Sequence, residues 1–153
     1  MGKAARISSA PAPRAEGGTV IKICSKFNIC ESLKLKALEL AIVHDIPEAF
    51  LGDVPYITKR DNPQLAEILE KAELEELQRN MPEFYNAYLR YVQGEKNMSI
   101  PSTIVKLADT ISVLQYSNNE IELGNTSKAM KEINDDAKNR VCLMIKRLED
   151  LLL

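Results

Sequence analysis

Apolar residues in this chain recur at every third or fourth position through long segments and almost nowhere alternate, so the chain must bury stripes of helices, not faces of sheets. In "ESLKLKALELAIVHD", Leu33, Ala37, Leu40, Ala41 and His44 fall at i, i+4, i+7, i+8 and i+11 and make one continuous stripe. Leu65, Ile68, Leu69, Ala72 and Leu77 form a second stripe, with the Glu and Lys residues between them read as a solvated face. A third runs through Ile133, Ala137, Val141, Met144, Ile145, Leu148 and Leu152. Start signals punctuate the pattern: Asn62 as an N-cap with Pro63 behind it, the Asn80-Met81-Pro82 break, and Pro101 after Ile100. The Phe84, Tyr85, Tyr88 and Tyr91 cluster reads as helix packing. With strand signals nearly absent and no repeat, the expectation is an all-α domain of about six helices.

The 153 residues suffice for one domain with its own core. "SSAPAPRAEGG" is rich in Ser, Ala, Pro and Gly without apolar period, so residues 1–18 are expected to be a lead-in and residues 19–153 the helical domain. Twenty Lys and Arg against twenty-two Asp and Glu leave no basic excess of the kind that neutralises a nucleic-acid backbone. Polymeric nucleic acid is therefore not an expected partner, although a small phosphorylated ligand needs only a few local cations. No apolar run approaches the roughly 18 residues of a membrane span, and no secretory h-region opens the chain. The chain reads as cytoplasmic, with no membrane partner. Cys24, Cys30 and Cys142 form no C-x-x-C pair and read as reduced thiols in or near a core.

His44, the single histidine, closes a core-facing stripe with Asp45 beside it. Asp109 shares a helical face with Val105, Val113 and Tyr116, where a lone charge is costly unless it is paired or coordinates something. Taken singly, a His-Asp pair at a helix end is ordinarily a hydrogen-bonded cap, Asp109 could pair with Lys106, and Glu48 and Asp53 could be loop acids. Together, an imidazole and two carboxylates at helix ends can hold a divalent transition metal such as Mn, Co, Fe or Zn. Glu48, one turn past His44, is placed to move a proton. Asp53 beside Gly52 could accept from a substrate hydroxyl, and Lys59 or Lys106 could meet a phosphate.

"ALELAIVHDIPEAFLGDVPYITK" (Ala37 to Lys59) and "IVKLADTISVLQY" (Ile104 to Tyr116) resemble the HD-domain metal-dependent phosphohydrolases, in the branch of the bacterial 5′-deoxynucleotidases. The resemblance extends over about Thr19 to Leu123. It implies a helical bundle that hydrolyses nucleotide phosphate esters, with His44, Asp45 and Asp109 as metal ligands and Glu48 as the proton-transfer residue. It makes Asp53 a contact to a substrate hydroxyl, and Lys59, Lys106 and Arg14 or Arg6 phosphate contacts. The family's first histidine, from the preceding helix, has no counterpart here: Glu16-Gly17-Gly18-Thr19 stands in its place. Either that element has been lost or replaced, or Glu16 supplies an oxygen, or three ligands serve.

The leading expectation is metal-dependent release of phosphate from (deoxy)nucleoside 5′-monophosphates, with a homodimer allowed. A nucleoside triphosphate hydrolase shares every motif. The competing class is a degenerate HD domain that binds nucleotide or a protein partner without turnover; a third is a scaffold that associates through the C-terminal stripe at Met144 and Leu148.

Overall fold

The computed structural model describes residues 16–153, with the side chains of residues 16, 56 and 57 outside that description. Arg6 and Arg14 lie outside the described residues, and so does the Glu16 side chain. Every regular element among the described residues is helical: α1 (Glu16–Lys26), α2 (Glu31–Val43), α3 (Glu48–Leu51), α4 (Tyr56–Asp61), α5 (Pro63–Asn80), α6 (Pro82–Lys96), α7 (Ile100–Glu122) and α8 (Lys128–Leu152). The six long ones match the six expected from periodicity. The two extra are the single turns α3 and α4, too short for a 3.6-residue period to register.

The helix starts follow the capping chemistry. Asn62 accepts from the Leu65 amide at 3.2 Å, with Pro63 in the first helical position where no N–H is missed. Ser99 accepts from Ser102 at 3.4 Å to open α7, and Ser127 from Met130 at 3.2 Å to open α8. Pro82 opens α6 behind Met81, which makes no side-chain cap.

Helix α7 is the axis of the bundle, packed against α1, α2, α6 and α8. Its Ile104, Val105, Leu107 and Ala108 meet Val20, Ile23 and Cys24 of α1, Ala37 and Leu40 of α2, and Leu148 of α8 in the main core. Burial of such a cluster is the chief stabilising term of a domain this size. Between α7 and α8 the core is polar at one point: buried Asn134 donates to Ser117 Oγ at 2.9 Å and Asn118 Oδ1 at 2.7 Å, which fixes the register of the two helices. A second cluster gathers Leu77 of α5 with Tyr88 and Val92 of α6, and Ile46, Leu74, Met81, Phe84 and Tyr85 pack around it. Tyr91 packs against both clusters. The aromatic residues of α6 are packing residues, as their spacing suggests.

Three details differ from the sequence expectations. Ile68 lies in the α5 stripe yet is 65% exposed. The helix is turned so that Leu69, Glu73 and Leu77, at i, i+4 and i+8, face inward, and the acids expected to be solvated are instead engaged: Glu73 accepts from Tyr88 Oη at 2.6 Å and Glu70 pairs with Lys96 at 2.6 Å. Leu152, at the end of the α8 stripe, is exposed, Leu148 being the last buried residue of that helix. Of the three free thiols only that of Cys24 is buried; Cys30 and Cys142 are exposed. Among the described residues no helix is long and apolar enough to cross a membrane.

Candidate active site

The carboxyl end of α2 delivers the central residues. Val43 is its last helical residue and His44 its C-cap, its amide bonded to the Leu40 carbonyl at 3.0 Å. The imidazole side chain is 6% exposed and its Nδ1 lies 2.9 Å from the Ala41 carbonyl. A carbonyl can only accept, so the proton is on Nδ1. Nε2 lies 3.1 Å from Asp45 Oδ1 without the alignment of a hydrogen bond. The Tyr91 ring stands 5.7 Å from the imidazole at an interplanar angle of 58° and walls one side.

Glu48 opens α3 directly after buried Pro47. Burial, and then the neighbouring carboxylates of Asp45 and Asp53, push its carboxyl from 4.5 up to about 7, against smaller opposing effects of Lys59 and His44. Gly52 ends that turn at φ 79°, ψ 161°, with its amide on the Glu48 carbonyl at 2.9 Å. This conformation suits glycine, and it sets the direction in which Asp53 leaves the turn. From α7, half-buried Asp109 enters with Lys106 one turn before it. Lys106 pairs with Glu95 of α6 at 2.5 Å, so the partner it takes is Glu95. Tyr91 is partly buried, and that burial together with Glu95 and Asp109 holds its hydroxyl well above the ordinary range, as a neutral donor.

These groups surround one cavity of about 640 Å³, lined by His44, Asp45, Glu48, Asp53, Lys59, Lys106 and Asp109 together. That volume is in the range of small-molecule sites. The seven described residues read as site candidates in the sequence thus face the same space, although they span sixty-six positions of chain, from 44 to 109. The sequence reading missed Tyr91, Glu95, Arg60, Asp136 and Arg140, which line it too. Arg140 carried the same signal as Asp109, a charge set among the apolar stripe positions Ala137, Val141 and Met144.

The donors suit a divalent transition metal in kind. An imidazole that gives its Nδ1 proton to a backbone carbonyl presents the Nε2 lone pair in fixed orientation, which is how a metal-bound histidine is held. Asp45 Oδ1 lies 3.1 Å from that nitrogen, and Asp109 lines the same cavity. In arrangement the fit is partial: among the described residues no three His, Cys, Asp or Glu side chains are gathered closely enough to hold an ion. His44 is the only histidine of the chain.

A family model described as 5′-deoxynucleotidase YfbR-like matches residues 23–149. The chain belongs to that family. The match spans the HD segment, the α7 motif and most of α8. Two solved structures share the fold. One is the crystal structure of the PH0347 protein from Pyrococcus horikoshii OT3, at TM-score 0.68 and 24% identity, covering 92% of this chain and 77% of that one. The other is a conserved hypothetical protein from Pyrococcus furiosus, at TM-score 0.67 and 20% identity with the same coverage. No curated protein matches significantly. Membership places the chain in a family of nucleotidase-type hydrolases, and the chain is built as an all-α bundle of HD type.

Proposed function

We propose that this member of the family hydrolyses the 5′-phosphate of (deoxy)nucleoside monophosphates with a divalent transition metal, releasing nucleoside and inorganic phosphate. The observation that carries the reading is the convergence of His44, Asp45, Glu48, Asp53 and Asp109 on one cavity in a chain of this family. His44, Asp45 and Asp109 would hold the metal, which when bound supplies Lewis acidity at the phosphoryl oxygens and a more acidic water. Glu48, held near neutrality, takes a proton from the attacking water and returns one to the leaving 5′-oxygen. Asp53, on the exposed side of the Gly52 turn, accepts from a sugar hydroxyl, and Lys59 offers a cation to the phosphate. Val54, Pro55, Leu69 and Val92 give the cavity an apolar flank against which a nucleoside can lie.

Phosphate release from a panel of nucleoside mono- and triphosphates with added Mn or Co tests this. Release from monophosphates is expected, and a wild-type rate no higher than that of Asp109→Ala would sink it. A second reading rests on one specific observation, the lack of a gathered three-donor group among the described residues: a domain of the same ancestry that binds nucleotide without turning it over. Metal analysis after purification separates the two, since stoichiometric transition metal supports hydrolysis and a metal-free chain that takes none up supports binding alone.

A further inference from the structure

On the side of the cavity made by α4 and α8, two guanidinium groups flank one carboxylate. Asp136 Oδ1 pairs with Arg60 Nη1 at 3.5 Å, and Asp136 Oδ2 with Arg140 Nη1 at 3.9 Å. Arg60 is also steadied from behind by Asp61 at 2.8 Å. Arg140 donates from Nη2 to Thr110 Oγ1 at 3.3 Å, and the Thr110 hydroxyl, fully buried, donates in turn to the Lys106 carbonyl at 2.8 Å. Thr110 follows Asp109 directly, so the Arg140 guanidinium is tied to the same turn of α7 that carries the proposed metal ligand. Its side chain is only 15% exposed, yet it lines the cavity together with Arg60, Lys59 and Asp136.

The charge around the cavity is unevenly distributed. Asp45, Glu48, Asp53, Glu70, Glu73, Glu95 and Asp109 line it, and Lys106 is matched to Glu95. A phosphate dianion is repelled by most of that wall. Across the α4–α8 side, Lys59, Arg60 and Arg140 face it with Asp136 as the only carboxylate among the described lining residues there. A planar guanidinium held at one edge by a hydroxyl and a carboxylate is oriented before a ligand arrives, and its fork geometry matches two phosphate oxygens.

We propose that Arg140, with Arg60 beside it, grips the phosphate of the substrate, and that Asp136 and Thr110 hold the two guanidinium groups in position for it. This rests on the reading of a nucleoside monophosphate as substrate. It assigns the phosphate to α8 and α4, which leaves the apolar flank of Val54, Pro55 and Leu69 to the nucleoside.

Calorimetric titration of the chelator-treated full chain with deoxyadenosine 5′-monophosphate, deoxyadenosine and inorganic phosphate tests the assignment without turnover. Arg140→Ala should weaken nucleotide and inorganic phosphate by about tenfold to a hundredfold and leave deoxyadenosine within about twofold, the loss of a charge-assisted contact to phosphate alone. Arg60→Ala should act in the same direction, and Arg140→Lys should recover part of the affinity because it restores charge without the fork. Nucleotide and nucleoside falling together would show that the pair only fastens α4 to α8 and overturn the proposal, as would nucleotide affinity unchanged in both alanine variants. A wild-type chain that binds phosphate but hydrolyses nothing would count against the hydrolase reading alone, because every measurement here is of binding.

Discussion

At Glu48, burial beside two other carboxylates has a measurable cost in stability. Its carboxyl titrates at about 7 in the folded chain against 4.5 as a free group. Below 4.5 both folded and unfolded chains hold the proton and there is no penalty. Between 4.5 and 7 the folded chain retains the proton that the unfolded chain has released, so stability falls as pH rises, and the full penalty is present above 7. Because the group is only half buried, solvent screening reduces the penalty to about 1–2 kcal/mol. Glu48→Gln cannot ionise, so in the presence of a chelator its unfolding free energy from urea titration should equal wild type at pH 4 and exceed it by that amount at pH 8. Hydrolysis by the same variant should fall by about 10²–10⁴-fold if the carboxyl moves the proton. A variant that is stabilised and fully active would remove Glu48 from the chemistry while leaving its environment as described. At this scale polar residues interrupting an apolar stripe were the legible signal: His44 and Asp109 stood out on that ground and both face the cavity, while Arg140, set in the α8 stripe in the same way, was passed over. Tyr91 and Glu95 gave no such signal, because a tyrosine on a packed face and a glutamate on a polar one look ordinary until tertiary packing brings them against α7.

At the level of elements, two glycines set where the site residues go. Gly52, at positive φ, turns the chain between Glu48 and Asp53. Alanine there meets no neighbour but is forced toward a left-handed conformation, at a cost of about 1–2 kcal/mol. If the turn relaxes instead, Asp53 moves, so Gly52→Ala should raise KM more than it lowers the thermal midpoint. Gly94 works by close approach: a methyl group there would collide with the Ser99 and Ser102 hydroxyls where α6 crosses the start of α7. Gly94→Ala should destabilise by about 1–3 kcal/mol, the usual range for overpacking, read as a lower urea midpoint. The long helices were legible because each carries several turns of apolar period and a recognisable start. Two things were not. Helices α3 and α4, of four and six residues, are too short to repeat the period that would reveal them, and the rotation of α5 is set by Tyr88, whose hydroxyl draws Glu73 inward at the expense of Ile68. A partner fifteen residues away cannot be inferred from the amphipathic pattern of one helix.

For the molecule as a whole, the question is whether packing around α7 leaves a centre able to take a cation. Asp109 comes from the central helix, while His44 and Asp45 come from the end of α2, which packs on the same helix. A metal bound by all three would therefore tie two elements of the main core and stabilise the fold by mass action. At a hundred times the dissociation constant the gain is about 2.7 kcal/mol, which in a domain of this size raises the thermal midpoint by roughly 5–10 °C. Adding Mn or Co to chelator-treated protein should produce that shift in a melting curve, and excess chelator should reverse it. Asp109→Ala should abolish the shift, because the cross-link between α7 and α2 depends on its carboxylate. In the variant, a lower midpoint with the metal-induced shift intact would mean that Asp109 serves packing alone. Lack of any shift in the wild-type chain would mean that the two donors converging at His44 and Asp45 do not amount to a metal centre, and would favour nucleotide binding without turnover. The outcome decides between a hydrolase and a binder by a property of the fold itself, before any substrate is chosen.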